Sequence, residues 1–166
     1  MASQTVKCAN RDVLEAMAAF NELAGTVWGE PQVALRIGRS FRSIRKANDS
    51  IELEREGLLE QYAAKDAEGS YVRLDGTGTV KLVDQKSFGV GWRAVLDDEV
   101  ELQVWPVDIS ALSDGKAKKG RCKECNRLMG PALSPFHLEV LVNLGAIVDG
   151  SEQPEPAATQ KDADTE

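Results

Sequence analysis

The sequence predicts an α+β fold in which a helical hairpin with one long arm joins a small antiparallel sheet. The long arm is predicted by a proline-free segment, residues 32–63, in which large aliphatic side chains recur every seventh residue. The sheet is predicted by residues 100–104, where valine and leucine alternate with glutamate and glutamine as in a half-buried strand. A chain of 166 residues with 42% hydrophobic and 28% charged residues fits one soluble domain with a single core.

The first predicted elements are a short strand and an amphipathic helix. Residues 5–8 favour a β-strand, and Asn10 stands where an N-cap residue would accept a hydrogen bond from the next turn. The helix that follows places apolar residues at helical spacing as far as Ala24, and Gly25 is predicted to end it in a left-handed conformation. Pro31 suits the first position of the second helix, because an N–H at that position has no intrahelical partner.

The second helix, predicted over about residues 32–63, would be roughly 48 Å long at ~1.5 Å per residue. Its apolar row consists of Ile37, Ile44, Ile51 and Leu58. The neighbouring row is interrupted by the polar residues Asn48 and Arg55, so the apolar seam is narrow and fits one partner helix. We expect the first helix to cover the N-terminal half of this seam and another element, such as a second subunit, to cover the rest.

Four further elements complete the predicted fold. The glycine-containing segment 71–83 is predicted to form a short hairpin, and "DQKSFGVGWRAVLDDEV" a weak helix despite its internal glycines. The strand near residues 100–105 is predicted to pair in antiparallel fashion with the N-terminal strand. Ser134 and Pro135 predict the start of a short C-terminal helix.

These elements predict a single α+β domain over residues 1–149. Within it, residues 112–133 are predicted to form a basic loop that contains two cysteines. The remaining segment, residues 150–166, carries five acidic residues, one lysine and two prolines but no large apolar residue. Such a composition cannot form a core, so an acidic disordered tail is expected there.

The charges of the long helix follow an unusual order. Five basic residues fall within the first eleven positions of the segment Arg36 to Tyr62, and acidic residues dominate the remainder. A helix is stabilised by the opposite order, with acids near its start and bases near its end. We interpret the order either as a surface that contacts another protein, for instance an antiparallel copy of the same helix, or as a solvated face. The predicted contact residues are Arg36, Arg39, Phe41, Arg42, Ile44, Arg45, Ile51, Arg55, Leu58 and Tyr62.

A Cys-x-x-Cys pair in the basic loop raises the possibility of a zinc site. Cys122 and Cys125 have the spacing of a zinc knuckle, and Cys8 and His137 are the remaining residues that would complete a Cys3His site. The alternative is a solvent-exposed loop with two reduced cysteines. Zinc is the one cofactor that the sequence raises, and otherwise no cofactor is expected.

The same loop is the one place where the sequence predicts any contact with nucleic acid. Its basic residues lie between Lys116 and Lys123 and could contact phosphate, although no aromatic residue stands beside them for base stacking. Elsewhere the net charge of −7 opposes nucleic-acid binding. No segment reaches the ~18 apolar residues of a membrane span, and the chain begins without a secretory signal pattern, which predicts a cytoplasmic protein and no membrane partner.

Catalytic patterns do not emerge from the sequence. The single histidine, His137, is predicted to lie in the first turn of a short helix, with no nucleophile in a recognisable turn. The glycine-rich "DGTG" lacks the lysine and following helix of a phosphate-binding loop. The sequence therefore predicts a protein that is not an enzyme.

The order of these elements resembles that of a known family. The segments that carry the resemblance are "ANRDVLEAMAAFNELAG", "PQVALRIGRSFRSIRKANDSIELEREGLLEQYAAKD" and "VELQVWPVDISAL", roughly residues 6–112. Together they resemble a family of short bacteriophage and prophage proteins known only as a domain of unknown function. The resemblance implies an accessory protein of a phage particle or of its assembly, with no catalytic residues to transfer. The basic cysteine loop departs from the family pattern.

Three functions follow as expectations. The first is a non-enzymatic phage accessory protein that acts through contacts with other phage proteins, and possibly with itself as a homo-oligomer. It would reside in the virion or in the cytoplasm of the host bacterium. The second is a phage-encoded inhibitor of a host enzyme or defence complex. The third is a zinc-stabilised module that binds nucleic acid or regulates another protein.

Overall fold

A computed structural model describes residues 2–74, 77–117 and 133–149 of the chain, and it confirms the predicted α+β fold. Four α-helices are present in this part: α1 (Asn10–Ala24), α2 (Pro31–Tyr62), α3 (Gln85–Asp97) and α4 (Pro135–Asn143). The strands are β1 (Gln4–Ala9), β2 (Thr26–Val27), β3 (Glu99–Val104), β4 (Val107–Asp108), β5 (Lys116–Ala117) and β6 (Ile147–Val148), with a 3₁₀ helix over Ile109–Asp114.

The predicted sheet is formed by β1 and β3. They pair in antiparallel fashion, with Gln4 opposite Val104 at one end and Ala9 opposite Glu99 at the other. Two smaller pairings were not predicted: β2 with β5, antiparallel, and β4 with β6, parallel. The first of these shows that the predicted loop 112–133 begins with regular structure, because residues 116–117 form β5.

The core lies between the α1–α2 hairpin, the inner face of the sheet and α4. Among the described residues, the large side chains that are almost fully buried include Val13, Phe20, Leu23, Ile44, Ile51, Leu102 and Leu141. Each contributes about 1.5–3 kcal/mol when it leaves water. Phe20 of α1 stacks on Phe41 of α2, with ring centroids 6.4 Å apart, so the two helices meet through aromatic as well as aliphatic contacts.

The start of α1 differs from the prediction. Ala9 is the N-cap, and its N–H donates to Asp12 Oδ2 at 3.0 Å. Asn10 is instead the first helical residue, and its buried Nδ2 atom donates to the carbonyl oxygen of Val95 at 2.8 Å. Asn10 therefore satisfies a carbonyl in the last turn of α3, which a helix leaves without an internal partner. Gly25 ends α1 with a φ of −76°, which is right-handed and not left-handed as predicted.

The C-terminal half of α2 is covered by another element, as expected, and this element is α3 of the same chain. Helix α3 packs on α2, and Gly91 lies against Leu58. A Cβ atom added to Gly91 would lie 2.8 Å from Leu58 Cδ2, closer than two carbon atoms can pack. The glycine that weakens α3 as a helix thus lets it lie against α2.

The segment between α2 and α3 returns on itself as predicted, although only through isolated bridges. Arg73 pairs with Val80 in antiparallel fashion, which is the hairpin predicted at residues 71–83. Three backbone N–H groups then form a closed cycle. Ala64 donates to Lys81, Lys81 donates to Val72, and Val72 donates to Ala64, at 2.8–2.9 Å.

The C-terminal helix begins as predicted. Ser134 is the N-cap of α4, and its Oγ atom accepts a hydrogen bond from the His137 N–H at 3.2 Å. Helix α4 packs on α1, and β6 then places Val148 beside Asp108 of β4. Among the described residues, no helix combines the length and the apolar character that a membrane crossing needs.

Candidate functional site

A groove of about 530 Å³ lies between the N-terminal half of α2 and β3. We call it the α2–β3 groove. It is lined by Arg39, Arg42, Ser43, Lys46, Ala47 and Ser50 from α2, and by Val100, Glu101, Gln103 and Trp105 from β3 and the residue after it. The groove brings together three of the basic side chains of α2.

Serine side chains of α2 hold the wall of this groove in place. The Ser40 Oγ atom accepts a hydrogen bond from the Trp105 N–H at 2.8 Å, and Ser43 Oγ accepts one from the Gln103 N–H at 2.9 Å. These N–H groups point away from β1, so α2 takes the place of a third strand along the outer edge of β3. Arg36 extends the contact by donating to the Pro106 carbonyl oxygen at 3.3 Å.

The groove has an excess of positive charge. Arg39, Arg42 and Lys46 occupy one wall, and the guanidinium carbon of Arg39 lies 6.0 Å from the centre of the Trp105 ring. Glu101 is the acidic side chain of the lining, and it is already paired with Lys7 at 3.5 Å. Arginine and lysine beside an accessible aromatic ring form a surface that binds carboxylates or phosphates together with an apolar group.

The predicted contact residues divide into three groups. Ile44 and Ile51 are 0% and 1% exposed, so their side chains stabilise the core of the chain itself and are absent from its surface. Phe41, Leu58 and Tyr62 are half-buried, and Arg36 is engaged with the main chain at Pro106. The exposed members are Arg39, Arg42, Arg45 and Arg55, of which Arg55 pairs with Glu52 at 3.1 Å.

Sequence reasoning missed the residues that build the groove. Trp105, Ser40, Ser43 and Lys46 were not among the predicted contact residues. A signal was present in the sequence, because Ser40 follows Ile37 by three residues and precedes Ile44 by four on the apolar seam. A serine on a buried helical face needs a hydrogen-bond partner from another element, which a sequence alone does not identify.

The proposed zinc ligands are only partly within the described residues. Cys8 lies half-buried on β1, where burial, reinforced by the negative charge of Asp12, raises the pKa of its thiol to about 11. His137 lies in the first turn of α4, where its Nδ1 atom accepts a hydrogen bond from the Ser134 N–H at 3.4 Å. Cys122 and Cys125 lie outside the described residues, as does the basic segment 118–123. Within the described part, no three His, Cys, Asp or Glu side chains could hold a metal ion together.

A second cavity, of about 520 Å³, lies between the C-terminal half of α2 and the hairpin. Its lining mixes Glu52 and Glu56 with Arg55, Arg73 and Tyr71, so it carries no excess of one charge. Beside it, the Tyr71 hydroxyl donates to Glu60 Oε1 at 2.6 Å, and Lys65 also pairs with Glu60. Hydrogen bonds from Lys65 and then Tyr71 lower the pKa of Glu60, and the bond to Glu60 raises the pKa of Tyr71. These contacts fasten the hairpin to α2.

Comparison of the chain with known protein families, with curated proteins and with solved structures gave no match. The resemblance to short phage proteins therefore stays a prediction. The feature that the structure adds to the sequence is the α2–β3 groove.

Proposed function

We propose that this protein is a non-enzymatic accessory protein of a bacteriophage or prophage and that its α2–β3 groove binds an acidic segment of another phage protein. The observation that carries the proposal is the grouping of Arg39, Arg42 and Lys46 with Trp105 along one groove. The order of elements that resembles short phage proteins supplies the biological setting: particle structure or assembly, in the virion or in the host cytoplasm.

The chemistry of the groove favours an acidic protein segment as the ligand. Arginine binds carboxylates through paired N–H donors, and tryptophan and arginine are the residues that most often dominate the energy of a protein interface. The Ser40 and Ser43 hydrogen bonds fix Trp105 and the end of β3 before any ligand arrives. A preformed wall lowers the ordering cost of binding.

A second copy of this chain is among the partners that this surface accepts. The same helix that presents basic residues near its start presents Glu52, Glu54, Glu56 and Glu60 near its end. An antiparallel neighbour would place the acidic half of one helix beside the basic half of the other. The proposed partners are therefore other phage proteins and the chain itself.

The test is affinity purification of the full chain from an induced or infected host, followed by mass spectrometry. The variant R39E/R42E/K46E reverses the charge of the groove, and K81E/K86E/R93E reverses three exposed charges elsewhere as a matched control. We expect virion or assembly proteins of the phage to be recovered with the wild type and the control, and to be lost with the groove variant. Circular dichroism establishes that both variants fold.

Two other outcomes contradict the proposal in different ways. Recovery of a host enzyme, with the protein missing from purified particles, would favour the inhibitor hypothesis instead. Groove-dependent binding of a labelled single-stranded oligonucleotide, without any protein partner, would favour a nucleic-acid module, because arginine and tryptophan also bind phosphates and bases. Elemental analysis for zinc, with melting before and after chelation, tests the proposed Cys8, Cys122, Cys125 and His137 site independently.

A further inference from the structure

We propose that in the free protein the α2–β3 groove is occupied by the acidic tail of the same chain, residues 150–166. This inference rests on the proposed function, because it names the ligand that a phage partner would have to displace. Three observations carry it: the charge of the groove, the place where the described chain ends, and the composition of the tail.

The first observation is that the basic wall faces open solvent. Arg39, Arg42 and Lys46 are exposed, and none of the hydrogen bonds or ion pairs within the described residues joins them to a carboxylate. Their spacing along α2 places Arg39 and Lys46 about 10 Å apart at ~1.5 Å per residue. A row of like charges of this length attracts a chain with acidic groups at a similar spacing.

The second observation is that the described chain ends close to the groove. Strand β6 is the last element, and its pairing with β4 puts Val148 beside Asp108. Asp108 follows Trp105 by three residues, which is about 10 Å of extended chain. Val148 therefore lies near the Trp105 end of the groove. A fully extended chain of the length of residues 150–166 spans roughly 50 Å, so the whole groove is within its reach.

The third observation is the composition of the tail. It holds Glu152, Glu155, Asp162, Asp164 and Glu166, against the single base Lys161. In the bound segment that we propose, Pro154 and Pro156 are compatible with an extended backbone, which would place Glu152 and Glu155 about 9 Å apart at ~3.1 Å per residue. This separation is close to that between the two ends of the basic row on α2. The segment has no large apolar residue that would direct it to another surface.

Because the tail is tethered to the same chain, even a weak contact is sufficient for it to occupy the groove. A segment tethered to the same chain has an effective concentration on the order of millimolar, so a tail that binds only in the millimolar range as a free peptide would still occupy the groove for much of the time. The occupancy lowers the apparent affinity of any competing ligand in proportion to the fraction of free groove. The tail thus acts as a built-in competitor that favours partners with more carboxylates or with an apolar group for Trp105.

The test compares full-length proteins by ¹H–¹⁵N NMR. The variant E152Q/E155Q/D162N/D164N/E166Q neutralises the tail, and E15Q/E22Q/E30Q/E68Q/E139Q removes the same number of acids from exposed positions outside α2. We expect the amide signals of Arg39, Arg42, Ser43 and Lys46 and the Trp105 indole signal to shift in the tail variant and to stay in place in the control. Salt at about 1 M, where the Debye length is about 3 Å, should produce most of the same shift in the wild type.

A rescue experiment and two contrary results complete the design. Adding a synthetic peptide of residues 150–166 to the tail variant should return the groove signals toward their wild-type positions. Unchanged groove signals in the tail variant, or shifts confined to another surface, would overturn the inference. A difference between the tail variant and the wild type that appears only at high protein concentration would also overturn it, because the tail would then come from a second copy.

A failure of the tail contact can be distinguished from a failure of the proposed function. If R39E/R42E/K46E loses its phage partners while the tail variant leaves the groove signals unchanged, the proposed function holds and the tail contact fails. If the tail occupies the groove but no phage protein requires the groove for binding, the tail contact holds and the proposed function fails. If both hold, neutralising the tail should strengthen partner binding roughly two- to tenfold, the factor expected when a tethered competitor at millimolar effective concentration is removed.

Discussion

The Oγ atom of Ser40 accepts a hydrogen bond from the backbone N–H of Trp105 at 2.8 Å, and it donates a longer one to the Trp105 carbonyl oxygen at 3.4 Å. One side chain of α2 thereby satisfies both polar groups of the residue that follows β3. Because Ser40 is 1% exposed, water cannot take over these bonds. The position of Trp105, and with it the shape of the α2–β3 groove, depends on this contact.

Replacing Ser40 with alanine should therefore destabilise the protein by about 1–3 kcal/mol, the cost of leaving a buried N–H without a partner. Ser43→Ala is the matched control, since Gln103 is exposed and its N–H can bond to water. We expect the control to lose less than about 1 kcal/mol. Urea unfolding followed by Trp fluorescence measures the free energy of unfolding of both variants. Equal losses would show that the buried Ser40 contact stabilises the protein no more than the exposed Ser43 contact.

Asn10 joins the beginning of α1 to the end of α3, and Asn10→Ala tests this link. The variant loses the donor to the Val95 carbonyl oxygen, so we expect a loss of about 1–2 kcal/mol and faster hydrogen exchange in the last turn of α3. Asn21→Ala, at an exposed position on the same helix, should stay within about 0.5 kcal/mol of the wild type. A stability loss without faster exchange in α3 would contradict this role for Asn10.

The two glycines of α3 should respond differently to alanine. At Gly89 an added Cβ meets nothing within 4 Å, so Gly89→Ala should raise the free energy of unfolding by about 0.5–1 kcal/mol through helix propensity. At Gly91 the same change requires the end of the Leu58 side chain to move away. We expect Gly91→Ala to gain clearly less than Gly89→Ala in thermal or urea unfolding. Equal gains would show that α3 is not held at this distance from α2.

The sequence predicted the helices and strands of this fold better than the contacts between them. The seven-residue row of α2 and the alternation of β3 are local patterns, and a local pattern fixes an element and its buried face. The link between Asn10 and Val95 spans 85 positions and leaves no local signal. Propensity placed Asn10 at an N-cap, but the Val95 carbonyl at the end of α3 accepts a hydrogen bond from its side chain instead.

The element that covers the end of α2 was not identified from the sequence for a related reason. Gly89 and Gly91 predict only a weak helix for α3, and its local pattern does not show which element it packs on. Close packing in fact benefits from a missing side chain, because Gly91 lets the backbone of α3 approach Leu58. For the site, the basic row of α2 was visible in the sequence, whereas Trp105 joined it only through a contact across the fold.

The thiol of Cys8 should react slowly with alkylating reagents. Burial and the charge of Asp12 raise its pKa to about 11, so the folded chain holds less thiolate at about pH 8 than the unfolded chain does. We expect iodoacetamide, in the presence of a chelator, to modify Cys8 at least about tenfold more slowly in the native protein than in urea. Peptide mapping by mass spectrometry locates the modification.

The same pKa shift gives a dependence of stability on pH. A thiol whose pKa is raised on folding keeps its proton in the native state while the unfolded chain releases it, so this contribution falls as pH rises between about 9 and 11. Below about pH 9 the thiol is protonated in both states, and its full contribution to stability is present. Replacing Cys8 with serine should flatten the fall over this window, and an unchanged slope would contradict the assigned pKa.

The order of charges on α2 leads to a prediction about self-association. Leu35 and Leu53 are separated by five helical turns, so they share an exposed face with the basic start and the acidic end of the helix, and Leu53 is 68% exposed. Antiparallel pairing of two such faces would place the basic start of one α2 helix beside the acidic end of the other and would bury Leu35 and Leu53 of both copies. We expect light scattering at low salt and high protein concentration, where a second copy competes with the tail for Arg39 and Arg42, to give a mass above 18.0 kDa. Replacing the arginines in R39Q/R42Q/R45Q, or raising the salt to about 1 M, should lower this mass. The control K81Q/K86Q/R93Q should leave the mass unchanged. A mass that the three arginine replacements do not alter would exclude the antiparallel arrangement, and the charge order would then be that of a solvated face.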